Sequence, residues 1–292
     1  MYRTAVITDE ISQDLEAAAR MAASFGLQAL EIRSVWGRNP FDMDLEDKKR
    51  IKRIADAYGL KICAIAAPLF KCDLLDEAAF KDHVTGAARC MEAAQIWDAK
   101  LIRGFTFWNR EKGEEDFEAI ADRYQPILRM AQENGVTIAL ESEPSVTTSN
   151  INLLARFLEQ VDHPCLGALY DPGNEIADPN APAPYPTGYE RLKSYIRHIH
   201  IKDMRHTKEG GLVPAMLGEG DVDFQGLFQR LKVDGYSGYV SVETHYRIRN
   251  AQLDDALLVR PQGSAFSEGG QEATHAYFSV LRDTYHWMEA LS

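Results

Sequence analysis

The segment Ala131-Gln132-Glu133-Asn134-Gly135-Val136-Thr137-Ile138-Ala139-Leu140-Glu141 ends an amphipathic run and begins an apolar, β-branched one, with a glycine at the junction. A glycine in the left-handed conformation closes a helix at such a point, and the run after it reads as a buried strand. The same junction recurs at Gly26 and Gly59. Working outward, strands are expected at Thr4 to Thr8, Gln28 to Arg33, Lys61 to Ala66, Lys100 to Phe105, Val136 to Glu141, Leu166 to Tyr170, His198 to Lys202 and Tyr239 to Glu243. Helical spacing of apolar residues fills the intervals, as in Leu45 to Tyr58, Ala78 to Ala94 and Phe117 to Glu133. Eight strand-helix units of roughly 30 to 40 residues predict a single α/β domain over residues 1–292, a (β/α)8 barrel. A doubly wound open sheet is the competitor, but Thr8-Asp9-Glu10-Ile11-Ser12 follows the first strand where Gly-x-Gly-x-x-Gly would stand.

The chain carries 32 Lys+Arg against 44 Asp+Glu, a formal net charge of −12, and no basic block. That balance argues against nucleic acid as a partner, because approach to a polyphosphate is repulsive. Cys63, Cys72, Cys90 and Cys165 show no close spacing, so reduced core thiols are expected rather than a disulfide framework or a zinc knuckle. The opening Met-Tyr-Arg-Thr leads directly into the first strand, and no apolar stretch approaches the roughly 18 residues that span a bilayer. A cytoplasmic protein with no membrane partner is expected.

Three insertions follow late strands. Residues 171–190 hold five of the twelve prolines, residues 204–221 carry Gly210, Gly211, Gly218 and Gly220, and residues 244–270 form a polar connection with a short helix expected around Leu253 to Val259. At the C-terminal face of a barrel such loops serve as lids, substrate walls or homo-oligomer contacts.

The strand ends carry the chemistry. Glu141 ends the fifth strand, Asp171 follows the sixth, His200 lies in the seventh and Glu243 ends the eighth. Closure of the barrel brings these positions to one mouth. Three carboxylates there repel, and a divalent cation removes that cost. An oxygen-rich set with one imidazole suits Mn²⁺ first, with Mg²⁺, Co²⁺ and Zn²⁺ as alternatives. The bland alternative is that each acid caps a helix or pairs with an arginine.

Leu140-Glu141-Ser142-Glu143-Pro144, Tyr170-Asp171-Pro172-Gly173-Asn174, His198-Ile199-His200-Ile201-Lys202-Asp203, Leu217-Gly218-Glu219-Gly220-Asp221-Val222-Asp223-Phe224 and Gly238-Tyr239-Val240-Ser241-Val242-Glu243 resemble the signature segments of the xylose isomerase-like TIM barrels, in particular their sugar phosphate isomerase/epimerase branch. The resemblance implies one metal ion held by Glu141, Asp171, His200 and Glu243, with Glu141 and Glu243 doubling as catalytic acid and base. It implies an isomerase or epimerase of a small sugar or keto-polyol, phosphorylated or not, that works through an enediolate. A lyase resembling inosose dehydratase is the alternative, because the same enediolate can expel a β-substituent. A sugar-binding protein without turnover is a third reading. Many relatives have histidine where Asn174 stands, and asparagine cannot relay a proton.

Further expectations attach to neighbouring residues. Lys202 points the same way along its strand as His200, toward a substrate oxygen or a barrel carboxylate. His198 is expected to be a core histidine. Glu31 and Glu10 would bond sugar hydroxyls or close internal salt bridges, and Asn174, Glu143 and His245 are placed as substrate contacts. Trp36, Phe70 and Trp108 would offer an apolar wall or pack within loops.

Overall fold

In this computed structural model, residues 2–178, 181–248 and 267–287 are described. The strands are β1 (Arg3–Ile7), β2 (Ala29–Ile32), β3 (Lys61–Leu69), β4 (Leu101–Gly104), β5 (Thr137–Glu141), β6 (Leu166–Tyr170), β7 (Ile196–Ile201), β8 (Met204–His206), β9 (Leu212–Pro214) and β10 (Tyr239–Val242). All but β8 and β9 form one closed parallel barrel, in which β1 pairs with both β2 and β10. The eight expected strands are these eight. β3 runs on to Leu69 and β7 begins earlier, at Ile196.

Helices α1 (Leu15–Ser24), α2 (Leu45–Ala57), α3 (Glu77–Trp97), α4 (Phe117–Asn134) and α5 (Ile151–Val161) follow the first five strands. The short α6 (Pro172–Glu175) and α7 (Tyr189–Leu192) come after β6, and α8 (Phe224–Val233) and α9 (Gly270–Asp283) complete the described set. Local sequence sets their ends. Asp44 accepts from the Asp47 amide at 2.9 Å while Asp47 accepts from the Asp44 amide at 3.3 Å, a reciprocal cap on α2. Gly135, at φ 62°, closes α4 immediately before β5, as its position in the sequence required.

Apolar side chains of the helices and of the outward strand faces make the main core, including Leu30, Ile51, Ile138, Leu154 and Ile199. A second, smaller cluster fills the barrel interior with Ala5, Ala29, Ala64, Leu101, Ala139 and Leu169. Successive residues of a strand point to opposite faces, so the residue two further along points inward again, nearer the mouth. That rule leads from Ala29 to Glu31 and Arg33, from Leu101 to Arg103, from Ala139 to Glu141 and from Leu169 to Asp171. Every one of these ionisable side chains is buried.

The described parts of the first two insertions are more ordered than a loop reading implies. Within residues 204–221, β8 and β9 form an antiparallel hairpin, with Met204 opposite Pro214 and His206 opposite Leu212. Asp203 ties its base, accepting from the amides of Gly218 at 2.8 Å, Gly220 at 3.0 Å and Met204 at 3.0 Å. Residues 171–190 hold α6 and the start of α7. The helix expected at Leu253 to Val259 lies outside the described residues. All four cysteines are free thiols, Cys63, Cys72 and Cys90 buried and Cys165 half-buried. No helix among the described residues is long and apolar enough to cross a membrane.

One glycine couples the fold to the mouth. A Cβ on Gly173 would sit 2.3 Å from the Lys202 carbonyl oxygen, which is backbone and cannot swing away. Gly173→Ala is expected to cost about 2 kcal/mol or more of stability. A urea titration in which the variant unfolds at the same midpoint as the parent would show that the two segments are less tightly apposed.

Candidate metal centre

Four elements bring the four strand-end residues together. Single ligand atoms of Glu141, Asp171, His200 and Glu243 all lie within 4.8 Å of one another, and all four residues are buried. His200 Nδ1 stands 3.8 Å from Glu141 Oε1, 3.9 Å from Asp171 Oδ2 and 3.5 Å from Glu243 Oε2. It is buried without a hydrogen-bond partner. A lone nitrogen facing three carboxylate oxygens is the arrangement a divalent cation satisfies, so the residues present fit such an ion.

Each carboxylate has its second oxygen anchored elsewhere. Asp171 Oδ1 accepts from the amides of Gly173 and Asn174 at 2.8 and 3.2 Å, capping α6. Glu141 Oε2 accepts from Arg103 Nη1 at 3.0 Å, and Glu243 Oε1 from Arg33 Nη1 at 2.5 Å. The inner oxygens meet Lys202, whose Nζ is 2.7 Å from Asp171 Oδ2 and 3.0 Å from Glu243 Oε2. Burial alone would raise all three carboxyl pKa values. Arg103 and His200 together more than reverse this for Glu141, which falls to about 2, and Lys202 with His245 and His200 takes Glu243 well below the carboxylate range. Asp171 stays raised, because burial and its two acidic neighbours outweigh Lys202.

Beneath the centre, Glu31 Oε1 lies 3.1 Å from His200 Nε2 and Glu31 Oε2 lies 2.8 Å from His198 Nε2. Of the two expectations for Glu31, a sugar contact or an internal pairing, the structure favours the second. Glu31 is fully buried with an oxygen on each imidazole, and it orients His200 from behind. His198 is the core histidine expected. Glu10 is buried in the internal salt bridge, 2.5 Å from Arg33 Nη2.

A cavity of about 240 Å³ opens over the cluster, lined by Glu141, Glu243 and Lys202 and also by Asn174, Glu143 and His245. Asn174 Nδ2 donates to Glu141 Oε1 at 2.9 Å, and His245 Nε2 is 3.3 Å from both Glu10 Oε1 and Glu243 Oε1. Glu143 pairs with Lys71 at 2.7 Å. Of the aromatic residues, Phe70 is buried in ring packing against Phe107 and Tyr124, and Trp36 lies under the Arg50 guanidinium, so both serve packing. Trp108 lies 5.9 Å from Lys71 Nζ at the rim.

Arg33, Arg103, Lys71 and Glu175 escaped the strand-end pattern. Arg33 and Arg103 obey the same inward alternation as the acids and become visible once basic strand ends are scored with acidic ones. Lys71 and Glu175 lie outside the strands and carry no such signal. Glu175 sits behind the centre, with its oxygens on Ser142 Oγ at 2.7 Å and the Ile151 amide at 2.9 Å.

The family model described as xylose isomerase-like TIM barrel matches residues 19–261, and the chain belongs to that family. It is 26% identical to the inosose dehydratase of Klebsiella pneumoniae (strain 342), over 49% of this chain and 50% of that protein. It is 25% identical to the L-ribulose-5-phosphate 3-epimerase UlaE of Salmonella typhi, over 62% of this chain and 63% of that protein. The chain thus spans half to under two thirds of the length of these two relatives. The crystal structure of IOLI protein with a bound zinc atom has the same fold, with a TM-score of 0.70 over 96% of this chain and 98% of that one at 20% identity.

Burial pushes the Glu175 carboxyl up from 4.5 to about 7, against the two hydrogen bonds it accepts. The folded protein therefore holds this proton more tightly than the unfolded chain does. The resulting stability is fully present below about pH 4.5 and is lost as pH rises to about 7, a change on the order of 3 kcal/mol. Glu175→Gln, which keeps the shape and stays neutral, should gain stability over the parent at pH 8 and little at pH 4.5. Parallel melting curves with no such pH-dependent gap would remove the buried, proton-holding role.

Proposed function

We propose that this chain is a divalent-metal-dependent isomerase or epimerase of a small sugar or keto-polyol that works through an enediolate. The observation that carries this reading is the partnerless His200 Nδ1 facing the inner oxygens of three carboxylates. Glu141, Asp171, His200 and Glu243 would hold the ion, and their oxygen majority favours Mn²⁺. The zinc in the IOLI structure supports a divalent ion of some kind on this fold. Bound there, the ion supplies Lewis acidity toward neighbouring carbonyl and hydroxyl oxygens of the substrate.

The chain's own residues handle the protons. Glu141 and Glu243 both line the cavity and are both held ionised by cationic neighbours, the form in which a carboxylate can act as a base. Their anchored outer oxygens, on Arg103 and Arg33, keep the inner oxygens aimed at the centre. One glutamate takes the proton beside the carbonyl, and a proton is returned to the planar enediolate. Return at the opposite face gives an epimer, and return at the neighbouring carbon gives the aldose–ketose isomer. Asn174, donating to Glu141 Oε1, steadies that carboxylate without relaying a proton.

A second reading has one specific observation behind it. His245 lines the cavity and could protonate a leaving hydroxyl, which would make the enzyme a dehydratase like its inosose dehydratase relative.

Manganese-loaded protein incubated with ketoses and inososes in deuterated water should place solvent deuterium in recovered sugar, whereas a dehydratase would release water and form an enone. Glu141→Gln and Glu243→Gln should each slow exchange by roughly a thousandfold. Full exchange in either variant would end its assignment as an acid or base. No uptake of a stoichiometric divalent ion by the wild type would end the reading as a whole.

A further inference from the structure

We propose that the cavity wall carrying Lys71 and Glu143 reads an uncharged hydroxyl of the substrate, and that the substrate therefore enters without a terminal phosphate. This rests on the isomerase or epimerase reading and adds a substrate class to it.

The wall is built, not incidental. Lys71 Nζ and Glu143 Oε2 are 2.7 Å apart, with side chains only 11% and 14% exposed, and both line the cavity. Lys71 follows Phe70, a buried residue in the left-handed region at φ 62° whose ring stacks on Phe107 at 4.5 Å and whose amide donates to His83 Nδ1 at 2.9 Å. A phenylalanine holds that backbone conformation only because its surroundings enforce it. The Lys71 ammonium lies 4.4 Å from the centre of the Phe105 ring, a cation–π contact. Glu143 Oε1 accepts from Ser145 Oγ, and the Asn109 amide donates to the Ser145 carbonyl at 2.8 Å. The Trp108 amide donates to the Cys72 carbonyl at 2.9 Å. The segments after β3, β4 and β5 are thus stitched around the pair.

The chemistry of the pair favours a hydroxyl. An ammonium has three donors, and a carboxylate has acceptor sites beyond the two in use. A hydroxyl can accept from Lys71 and donate to Glu143 at once, leaving the ion pair intact. A phosphate monoester dianion only accepts, so at this wall it can take a donor from Lys71 but has no proton for Glu143 and faces that carboxylate's charge at close range. The other cations lining the cavity are each already committed to carboxylates. Arg33 is bonded to Asp9, Glu10 and Glu243, Arg103 to Glu141, and Lys202 to Asp171 and Glu243. Among the described residues, every lysine or arginine lining the cavity has a carboxylate partner.

The test offers manganese-loaded protein five- and six-carbon ketoses, each free and as its terminal phosphate, and reads solvent-deuterium exchange as kcat/KM. The free sugars should lead by about tenfold or more, and Glu143→Gln should narrow that lead by lowering KM for the phosphates while raising it for the free sugars. Lys71→Met should raise KM for free sugars with a smaller effect on kcat. Equal or better use of the phosphates by the wild type overturns the proposal. So does a Glu143→Gln variant that loses kcat equally on both series, since that is what a purely structural pair would do. A binding measurement stands apart from turnover: sorbitol should raise the melting temperature of the loaded protein, while sorbitol 6-phosphate and inorganic phosphate should not. Stabilisation by the phosphates above that by sorbitol also overturns it. If no ketose exchanges, the isomerase reading fails, and the melting measurement alone decides what this wall accepts.

Discussion

Three carboxylates crowded within 4.8 Å of a buried imidazole nitrogen are the constraint around which the mouth of this barrel is organised. At an effective dielectric of about 20, each like-charge pair at such a separation repels by roughly 3 kcal/mol. The described structure answers with cations on two sides. Arg33 and Arg103 take the outer oxygens of Glu243 and Glu141, and Lys202 bridges the inner oxygens of Asp171 and Glu243. The outer contacts fix direction and the inner one supplies local charge. Direction is what a metal centre needs from its protein, because donor atoms must already converge before an ion arrives. Arg33 carries this further by joining Asp9 and Glu10, so that the segment after β1 is tied to the residue following β10 across the closing seam.

The layer beneath explains why His200 presents Nδ1 and not Nε2. Glu31 reaches up between His198 and His200 with one oxygen for each ring. It holds His200 Nε2 and leaves Nδ1 for the mouth, and it pushes the His200 pKa upward against the effect of burial. A carboxylate inside a barrel is tolerable only when both oxygens are engaged. Small residues make the space. Ala5, Ala29, Ala64 and Ala139 occupy inward positions below, where bulkier side chains would fill the volume that Glu31 and the histidines use.

Much of this was legible in the sequence, and the remainder was hidden for identifiable reasons. Strand-helix alternation with glycine junctions is a local signal, so it gave the barrel, and β-strand periodicity gave Glu141, Asp171, His200 and Glu243 as mouth residues. Periodicity tells which face a residue takes but not what it meets there. Glu31 was therefore left between a sugar contact and an internal pairing, since the partners that favour the pairing lie 167 and 169 residues away. The β8–β9 hairpin was missed because strands of three residues carry too little pattern, and its form depends on Asp203 collecting amides up to 19 residues downstream. The Lys71–Glu143 pair joins two loops 72 residues apart, and neither has a motif that calls for the other.

The same geometry bears on how two chemistries can share one scaffold. Epimerisation and dehydration begin with the same proton removal and part company at the next step, where a dehydratase must aim an acid at the leaving hydroxyl. His245 lines the cavity where such an acid would stand, and it is also held against carboxylates. Its backbone is in the left-handed region at φ 44°, and its amide donates to Glu10 Oε2 at 3.0 Å. Its Nε2 sits 3.3 Å from both Glu10 Oε1 and Glu243 Oε1. A ring held this way is aligned with the carboxylates of Glu10 and Glu243. His245 thus touches both the glutamate proposed to move a proton at carbon and the cavity that a leaving hydroxyl would enter, so one side chain stands where the two paths divide.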